Sequence, residues 1–405
     1  DRVNDIKQDS KGNFWIATGS LLGGGGLAKY DVAGNNWQIF TYLNSNIKND
    51  AVGDIVINNN DEVWIGYFVS GVAKFDGTNF VNYDLTAIFN DDSLSLEQSG
   101  MVQGIDFDKH NNLWIATTNG LVKYDGVNFM RYQTTNGLIG PSNPWIWING
   151  VESVLCDRIK DVVWLGTYDA GLQKFDGTSF TQYHMQVFQW GGSFFDKVNQ
   201  IYFDKDSDIW ITGYGVVEFD KNSMAKKSIY TNSNGLGDAL VWGISIDQNN
   251  KLWIGSDYLN GLFMYDGSSW HTFDASNSGL PDHCGVCGGP TNHVENILTD
   301  KYNNKWLSTF TGVVIYREGG VILGNNDKPK SDIHIDFFPN PTHDYLNVIS
   351  NMTYDRIEII DYTGKIASVK NGANVIDVRN LSAGIYLVNF YNRSNRIYQK
   401  KFVKN

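Results

Sequence analysis

The sequence predicts an all-β protein in which a seven-bladed β-propeller is followed by a small Ig-like β-sandwich. Three observations carry this prediction. Glycine and aromatic residues are frequent and proline is scarce, with 42 Gly, 13 Trp and 7 Pro in 405 residues, a mixture that favours strands and tight turns. A pattern with a period of roughly 45 residues recurs along most of the chain. After it, the chain changes to a different alternating pattern.

A tryptophan-centred motif marks each repeat. Before the motif lies an alternating run that ends near an Asp, and after it lie a second run such as GLAKYD, a turn and, in most repeats, an aromatic run. Four short alternating runs joined by Asp, Asn and Gly predict a four-stranded antiparallel sheet, and seven such sheets predict a propeller over residues 1–323. The central residues are Trp15, Trp64, Trp114, Trp164, Trp210, Trp253 and Trp306. They are expected to pack between blades, because a ligand site would not need seven copies.

These repeats resemble the two-component-regulator propeller repeat, whose units read as an Asp turn, Gly-Asn-x-Trp-Ile-Gly-Thr and Gly-Gly-Leu-x-x-Tyr-Asp. The resemblance covers about residues 3–323. It implies a propeller of the kind that forms periplasmic sensor regions of hybrid kinases, often for oligosaccharides. The 405 residues show neither a kinase region nor an apolar run long enough to span a bilayer, so the signalling role is not expected to carry over.

Strand order predicts that the variable loops gather on one face. With the strands of a blade labelled A to D from the axis outward, the short A–B and C–D turns share one face. The B–C turns and the crossovers between blades share the other, which we call the variable face. Unusual loops on a rigid scaffold are where binding residues concentrate, so this face is the predicted ligand site. Its longest crossovers are 87–99, 140–150, 184–197 and 282–293.

Six aromatic side chains of the variable face are the predicted ligand-binding residues. Flat rings beside polar neighbours suit stacking against a sugar ring or holding a peptide. The alternative is that some of these rings pack onto neighbouring blades. The six are Trp145, Trp147, Tyr168, Phe188, Trp190 and Tyr258.

No metal or cofactor is expected, and the weak metal candidates lie in one crossover. Cys284 and Cys287 form CGVC, with His283 and His293 nearby. A zinc site would need both histidines as its second pair of ligands, so a local disulfide or two free thiols is the preferred interpretation.

Neither an acidic motif elsewhere in the repeats nor the spacing of polar residues indicates a metal site or a catalytic site. DKDSD, residues 204–208, places alternating carboxylates that could bind calcium, but the same position reads DSKGN and DKHNN in other repeats, so a hairpin turn is favoured. No spacing singles out a catalytic pair. A propeller enzyme assembles its site across blades, so enzyme activity stays open and is less expected than binding.

Charge disfavours a nucleic-acid partner. The formal net charge is −12, and the excess of acidic residues lies before Ser331. The chain begins with DRVNDI in mid-pattern, so a processed or trimmed N-terminus is expected, with any export signal already removed.

The chain after the repeats follows a different plan. A polar linker, 324–331, precedes alternating runs with turn signals at TG and SAG, which predict a small antiparallel sandwich over 332–405. The two prolines of FFPNPTHDYLNV also suit the entry of an edge strand.

Four ordered motifs in residues 332–405 resemble the C-terminal sorting domain of type A cargo of the type IX secretion system. They read FxPNPxxxxLxV, IxIxDxxGKI, NLSAGIYLV and a terminal KKFVK. The resemblance implies recognition by an outer-membrane translocon and a shuttle protein, and removal of the domain by a sortase-like protease in or near the linker. The family positions fall on Pro339, Asn340, Pro341, Gly364, Lys365, Leu381, Gly384, Tyr386, Lys400, Lys401 and Phe402.

The sequence therefore predicts a protein exported through the periplasm and outer membrane to the cell surface or the extracellular space. Its propeller is expected to bind a glycan or a protein in adhesion or surface (gliding) motility. The alternative is a polysaccharide-degrading enzyme on the same scaffold, and a structural role in a surface assembly is a third hypothesis.

Overall fold

The computed structural model describes two compact units, Asp1–Gly324 and Asn325–Asn405. The predicted linker 324–331 lies outside the described residues, so the predicted domain boundaries stay a prediction. For 189–190, 193–194, 336 and 395–397 the backbone alone is described. The described residues are 2–20, 24–69, 71–85, 88–89, 100–141, 150–190, 193–237, 240–256, 261–281, 293–318, 321, 335–350, 353–361, 365–372, 374–392 and 395–405.

The propeller unit, Asp1–Gly324, is a series of antiparallel sheets built from consecutive strands. Within the described ranges, six sheets have four strands in sequence order and the last has three. The strands of the first four sheets are β1 Val3–Gln8, β2 Phe14–Gly19, β3 Gly25–Asp31, β4 Asn36–Phe40; β5 Val52–Ile57, β6 Val63–Tyr67, β7 Val72–Phe75, β8 Phe80–Tyr83; β9 Val102–Phe107, β10 Leu113–Thr117, β11 Gly120–Tyr124, β12 Phe129–Tyr132; β13 Val151–Asp157, β14 Val162–Thr167, β15 Leu172–Phe175 and β16 Phe180–Tyr183.

The remaining sheets of this unit follow a short ribbon in the 184–197 crossover, formed by β17 Gln189–Trp190 and β18 Ser193–Phe194. Single-turn 3-10 segments occur at Thr134–Asn136 and Asn232–Asn234. The strands are β19 Val198–Phe203, β20 Ile209–Gly213, β21 Gly215–Phe219, β22 Lys226–Tyr230; β23 Val241–Ile246, β24 Leu252–Ser256, β25 Leu262–Tyr265, β26 Trp270–Phe273; β27 Val294–Thr299, β28 Lys305–Thr309 and β29 Gly312–Tyr316.

The first strand of each sheet, here called an inner strand, contacts the inner strands of the sheets on either side. These contacts run from β1 through β5, β9, β13, β19, β23 and β27 and return to β1, so the inner strands surround a central axis. The all-β class and the propeller-like arrangement are confirmed. The blade number also depends on residues outside the described ranges, and it stays a prediction.

The repeated tryptophans fill the spaces between sheets, as predicted. All seven are buried. Trp15 lies 5.4 Å, centroid to centroid, from Phe75 of the following sheet, and Trp306 stacks at 3.7 Å on Phe14 of the first sheet. Such aromatic contacts join residues of different sheets and so hold neighbouring sheets together.

The turn between the first and second strand, the A–B turn, holds the indole of the tryptophan in five repeats. An Asp carboxylate there accepts the Trp Nε1–H six residues later at 2.9–3.1 Å. In the second repeat the position holds Asn58, and in the fourth the turn is one residue longer. The indole N–H groups of Trp64 and Trp164 are buried without a partner among the described residues.

The C-terminal unit, Asn325–Asn405, is a two-sheet sandwich. One sheet has the order β30-β31-β34 and the other β33-β32-β35-β36. Phe337 and Leu346 of the first sheet share one core with Ile357 and Phe402 of the second. The strands are β30 Ile335–Phe338, β31 Tyr345–Ser350, β32 Arg356–Asp361, β33 Ile366–Asn371, β34 Val375–Asp377, β35 Gly384–Asn392 and β36 Asn395–Lys404.

Candidate functional site

Each inner strand of the propeller unit begins with a β-bulge. Directly after its first residue the register with the second strand shifts, as between Val3↔Thr18 and Asp5↔Ala17. A bulge places an extra residue on one strand and re-aims its side chain. Consecutive residues such as Asn4 and Asp5 therefore both face the axis, instead of alternating between faces.

The bulges surround a cavity of ≈ 240 Å³ on the axis of the propeller unit. Its lining extends along the inner strands, from residues at their beginnings, such as Asn4, to residues near their ends, such as Lys7 and Asp106. The beginnings of the inner strands directly follow the crossovers, and we call the part of the cavity that they line the channel mouth. The mouth is lined by Asn4, Phe68, Gln103, Glu152, Asn199, Trp242 and Glu295.

An aromatic residue directly after the second strand recurs around the mouth. Backbone hydrogen bonds tie this position to the preceding crossover: Phe68 N–H donates to Ala51 O at 2.9 Å, and Tyr168 N–H donates to Gly150 O at 3.2 Å. The aromatic residues at this position are Phe68, Tyr168, Tyr214 and Phe310. The sequence prediction included Tyr168 and missed the other three, although their fixed offset from the repeated Trp could have revealed them.

Of the six predicted ligand-binding residues, two have described side chains. Tyr168 is half-buried beside the mouth, and Phe188 stacks on Tyr214 with ring centroids 4.4 Å apart. Trp190 lies in β17, where the backbone alone is described. Trp145, Trp147 and Tyr258 lie outside the described residues. The assignment of these six to ligand binding stays a prediction.

One side of the mouth holds a lysine between two rings. The Lys197 ammonium lies 5.0 Å from the Tyr168 ring centroid and 4.8 Å from that of Trp242. It is 3.7 Å from Glu152 Oε2. Burial raises the pKa of Glu152, and the Lys197 charge only partly opposes this. Cation–π contacts and a loose ion pair thus fix Lys197, while Glu152 Oε1 is buried without a partner among the described residues.

The adjoining part of the mouth is organised around Glu295, whose neighbour His293 has its ring centroid 6.2 Å from that of Trp242. Glu295 Oε2 accepts from Arg2 at 2.7 Å and lies 2.7 Å from His293 Nε2, and the His293 ring stacks at 4.1 Å on Phe310. Burial raises the pKa of Glu295, but the His293 and Arg2 contacts outweigh it and leave the pKa below its ordinary value. Among the weak metal candidates, His283, Cys284 and Cys287 lie outside the described residues, so the expectation about a metal there stays untested.

Deeper in the channel, carboxylates on neighbouring strands share a buried site. Asp5 accepts the Ile55 N–H at 3.0 Å and pairs with Lys7 at 2.7 Å. Asp54 accepts the Ile105 N–H at 2.7 Å and is hydrogen-bonded to Asp5. Burial and the charge of Asp5 raise the pKa of Asp54 well above its ordinary value. Burial and the like charge of Asp5 thus favour the protonated form of Asp54.

The DKDSD turn contains an acidic cluster that is already occupied by a cation. The carboxylate of Asp204 accepts the backbone N–H groups of Asp206 and Asp208 at 2.9 Å, as the hairpin-turn interpretation requires. The Lys227 ammonium lies 2.5 Å from Asp208 and 2.9 Å from Glu218. Of the three carboxylates that could hold a metal ion, Asp208 and Glu218 are thus paired with a lysine, and Asp204 accepts hydrogen bonds within its turn and from Trp210 Nε1–H.

In the C-terminal unit, Asn340 joins the two ends of the sandwich. Its Oδ1 accepts the Val403 N–H at 2.9 Å, and the next backbone bond, from Thr342 N–H to Val403 O, is 2.9 Å long. The peptide bonds Phe338–Pro339 and Asn340–Pro341 are cis. The PNP motif and the terminal strand β36 are therefore one structural element, although they lie far apart in the sequence.

The other predicted sorting residues divide into core and surface positions. Tyr386 and Phe402 are buried and stack at 5.4 Å, and Lys401 is exposed. Lys365 closes a turn through its backbone N–H, which donates to Asp361 Oδ1 at 3.1 Å. Gly364 lies outside the described residues. Pro339, Pro341, Leu381, Gly384 and Lys400 are described, and their role in recognition stays a prediction.

Residues 336–405 match the family model described as the secretion system C-terminal sorting domain. The chain carries a type IX sorting domain. This domain indicates export by type IX secretion to the cell surface or extracellular space and implies recognition by the secretion machinery. Among the described residues, no helix is long and apolar enough to cross a membrane.

The propeller repeats have relatives in signalling proteins. The chain is 27% identical over 314 residues to histidine kinase P4 of Formosa agariphila, an alignment that covers 72% of this chain and 21% of the kinase. The chain thus spans about a fifth of the curated relative it matches.

Solved structures share the fold at low identity. The extracellular domain of a hybrid two-component system of B. thetaiotaomicron aligns with a TM-score of 0.60 at 16% identity, over 100% of this chain and 55% of that one. The GH74 enzyme of Niastella koreensis aligns with a TM-score of 0.56 at 14% identity, over 99% of this chain and 66% of that one. These likenesses show a propeller-like fold, consistent with the ring of sheets.

Proposed function

We propose that the propeller of this exported protein is a binding module for a glycan or a protein, acting in adhesion or surface motility. The observation that supports this proposal is the channel mouth, where the rings of Phe68 and Trp242 line the cavity together with buried polar side chains, and Tyr168 lies beside it across Lys197. Concave sites with aromatic walls and a few convergent polar groups are the usual form of small-ligand sites in proteins. The predicted rings Trp145, Trp147, Phe188, Trp190 and Tyr258 would extend this surface.

A glycan array on the purified full chain tests the binding role. Tyr168→Ala is expected to weaken binding by about 1–3 kcal/mol, as loss of an aromatic anchor does, and Trp145→Ala and Trp190→Ala by similar amounts. Trp37→Ala is the matched control, because Trp37 is an exposed ring on the outer strand β4. If the mouth variants and the control bind alike, or if neither glycans nor surface proteins bind the chain, the proposal is wrong.

We propose that the sorting domain engages the type IX outer-membrane translocon and shuttle protein, and that a sortase-like protease cleaves in or near 324–331. Deletion of Asp332–Asn405 is expected to retain the protein in the periplasm, which cell fractionation measures. Co-purification with translocon and shuttle subunits from cells expressing the full chain would identify these partners. Normal secretion of the deletion variant would contradict the sorting role.

A polysaccharide-degrading enzyme is the second candidate. The supporting observation is the Asp5–Asp54 pair, whose members differ in pKa as an acid and a base would. The fold shared with a GH74 enzyme is compatible with this role. Against it, glycosidase carboxylates lie about 5–10 Å apart, whereas these two are hydrogen-bonded. Release of reducing sugar by the wild-type chain, lost in Asp5→Asn, would favour the enzyme.

A further inference from the structure

We propose that the ring of sheets opens at one place, the junction between its last and first sheets, and that a latch of polar side chains keeps this junction closed at neutral pH. We call this junction the seam. The inference adds a conformational device to the propeller unit and does not depend on which ligand the unit binds. It is carried by the packing of the seam, which differs from that of the other junctions. The latch residues are Arg2, Asp5, Glu295 and Asn296.

The seam is the junction that no crossover spans. The sheets of the propeller unit follow one another in sequence, so a crossover joins each sheet to the next, whereas the first and last sheets are the two ends of this series. Each crossover also places at least one apolar side chain between the two sheets that it joins. These buried crossover residues are Ile47, Leu85, Phe89, Leu138, Met185, Leu236 and Leu280. The seam is therefore packed without this contribution.

The apolar cluster at the seam is the smallest of those that lie between sheets, counted over the described residues. It has six buried members, and the clusters of the other six junctions have seven to twelve. One of the six, Trp306, belongs to the last sheet and stacks on Phe14 of the first. Because burial of apolar surface is the main attraction between packed sheets, we expect the seam to separate more easily than the other junctions.

Contacts between polar side chains offset this weaker packing. Arg2 Nη2 donates to Glu295 Oε2 at 2.7 Å, and the Arg2 guanidinium lies 4.9 Å from the centroid of the Phe310 ring. Asn296 Nδ2 donates to Asp5 Oδ1. These contacts join one side chain to another, so they can separate while every strand keeps its partners. At four other junctions a side chain of one inner strand instead accepts a backbone N–H of the next, in the pairs Asp5–Ile55, Asp54–Ile105, Asp106–Cys156 and Gln200–Ile244.

Acid weakens the latch, because two of its members are carboxylates. Burial raises the pKa of Glu295 and of Asp5, but neighbouring charges and hydrogen bonds outweigh burial and leave both pKa values below their ordinary ones. A carboxyl group of this kind stabilises the folded state above its unfolded pKa, about 4 for Asp and Glu, and this stabilisation is lost as the pH falls through the folded pKa. The charged and titratable groups that act on the two carboxylates are His293 and Arg2 at Glu295, and Lys7 and Asp54 at Asp5.

Opening of the seam would change the cavity on the axis. Asn4 and Asp5 line this cavity from the first sheet, and Glu295 and Asn296 line it from the last. A gap between these two pairs would remove part of the cavity wall and leave each sheet intact. The seam thus provides a way to alter the channel mouth without unfolding a sheet.

The rate at which a buried thiol is labelled measures the opening of a junction. Ile16 follows the repeated tryptophan of the first sheet and is 2% exposed at the seam, and Leu165 follows that of the fourth sheet and is 0% exposed between the third and fourth sheets. In the full chain, Ile16→Cys is expected to react with 4,4′-dithiodipyridine about tenfold faster than Leu165→Cys at pH 7, and the ratio is expected to rise toward pH 3. Each rate is divided by that of the urea-unfolded chain at the same pH, and peptide mapping separates the new thiol from the native cysteines.

Removal of the latch cation should act on the seam alone. Arg2→Met is expected to raise the labelling rate of Ile16→Cys several-fold at pH 7. Arg158→Met in Leu165→Cys is the matched control, because Arg158 pairs with Asp106 at 3.0 Å between the third and fourth sheets and is about as exposed as Arg2. This control is expected to leave the labelling rate nearly unchanged, since a crossover holds that junction.

A second matched pair makes smaller changes to the core. Val3→Cys and Val151→Cys each alter the first residue of an inner strand, and they replace the first pair where its variants do not fold. Equal labelling of the two junctions at pH 7 would overturn the inference, as would a ratio that does not rise in acid. Equal effects of Arg2→Met and Arg158→Met at their own junctions would overturn it too, because the latch would then not control the seam.

Discussion

The carboxylates of the C–D turns on one face of the propeller unit contrast with two carboxylates of the channel, Asp54 and Glu152. In the C–D turns, backbone N–H donors lower the pKa of Asp76, Asp125 and Asp176. In the channel, burial raises the pKa of Asp54 and Glu152. Within each of these C–D turns, backbone N–H groups donate to the Asp carboxylate, so the turn sequence recurs with little change. Residues that line the channel include buried polar atoms without a partner among the described residues, such as Glu152 Oε1, and each such atom lowers stability.

Two lysine–carboxylate pairs show the same contrast. Lys305 lies 2.7 Å from Asp247, and both side chains are at most 2% exposed. Asp247 also accepts from Trp253 Nε1–H at 3.0 Å and from the Lys251 N–H at 3.0 Å. At the channel mouth, Lys197 lies 3.7 Å from Glu152. The first pair is a direct contact that holds a turn together, whereas the second leaves Glu152 Oε1 buried without a partner among the described residues.

The largest expected effect comes from removing these lysines one at a time. Lys305→Met should lower the free energy of unfolding by about 3 kcal/mol, because it leaves a buried carboxylate without its cation. Lys197→Met should cost about 1 kcal/mol, because Glu152, whose pKa burial already raises, can take up a proton instead. Urea unfolding of both variants at pH 7 measures the difference.

Lys251→Met is the control for the first variant, since the Lys251–Glu318 pair lies at the surface near the same turn. It should change the stability by less than about 1 kcal/mol. Equal losses in the free energy of unfolding for Lys305→Met and Lys197→Met would show that the two carboxylates depend equally on their lysines.

The sequence predicted the structure best at positions that recur in every repeat. Trp15 and its counterparts recur in register, so their packing role followed from the pattern. Asn4, Glu152 and Trp242 occupy equivalent bulge positions but differ in chemistry, so no repeat reveals them. Only closure of the ring brings the three onto one axis. Loop length and strand order predict the variable face as the ligand site, and this assignment stays a prediction.

The sorting domain likewise has features that the sequence predicted and a contact that it did not. Its motifs were recognisable in the sequence because PNP and KKFVK are short and ordered. Their physical connection was not, since the hydrogen bond from Val403 N–H to Asn340 Oδ1 joins residues 63 positions apart. Phe402 was predicted as part of the motif and lies in the core, so one role of the motif is to hold the sandwich together.

A pH titration of stability should separate the two faces by sign. The pKa of Asp54 is raised in the folded state, so its stabilising contribution is full below the unfolded pKa and is lost as pH rises through the folded pKa. Asp54→Asn mimics the protonated form. It should be more stable than the wild type at pH 8, by more than about 1 kcal/mol, with the gain shrinking toward pH 4. Thermal unfolding across this range measures it.

Asp76→Asn should behave in the opposite way. The folded-state pKa of Asp76 is lowered by the N–H groups of Asn79 and Thr78, so its contribution is present above the unfolded pKa and is lost in acid. The variant should be less stable than the wild type at pH 7 and should converge with it at low pH. If both variants shifted in the same direction at pH 8, the contrast between the faces would fail.

The smallest expected effect concerns the A–B turn of the second repeat, which has Asn58 where five other repeats have an Asp. In the second repeat, Asn58 Nδ2 donates to Glu62 Oε2 at 2.6 Å, whereas in the seventh Asp300 Oδ2 accepts from Asn304 Nδ2 at 2.7 Å. The donor and acceptor are exchanged, so Asn58 presents an NH₂ group on the side where the other turns present a carboxylate. Trp64 Nε1–H consequently has no acceptor.

Exchanging the donor and the acceptor at positions 58 and 62 should give Trp64 Nε1–H a hydrogen-bond acceptor. Asn58→Asp alone would place two carboxylates together and should destabilise the protein. Asn58→Asp combined with Glu62→Asn recreates the arrangement of the seventh repeat and should stabilise the protein by about 1 kcal/mol, the usual value of a buried hydrogen bond, reduced by loss of the exposed Lys74 pair. A double-mutant cycle in urea measures the coupling. Additive effects of the two substitutions would mean that the turn chemistry does not control the Trp64 indole.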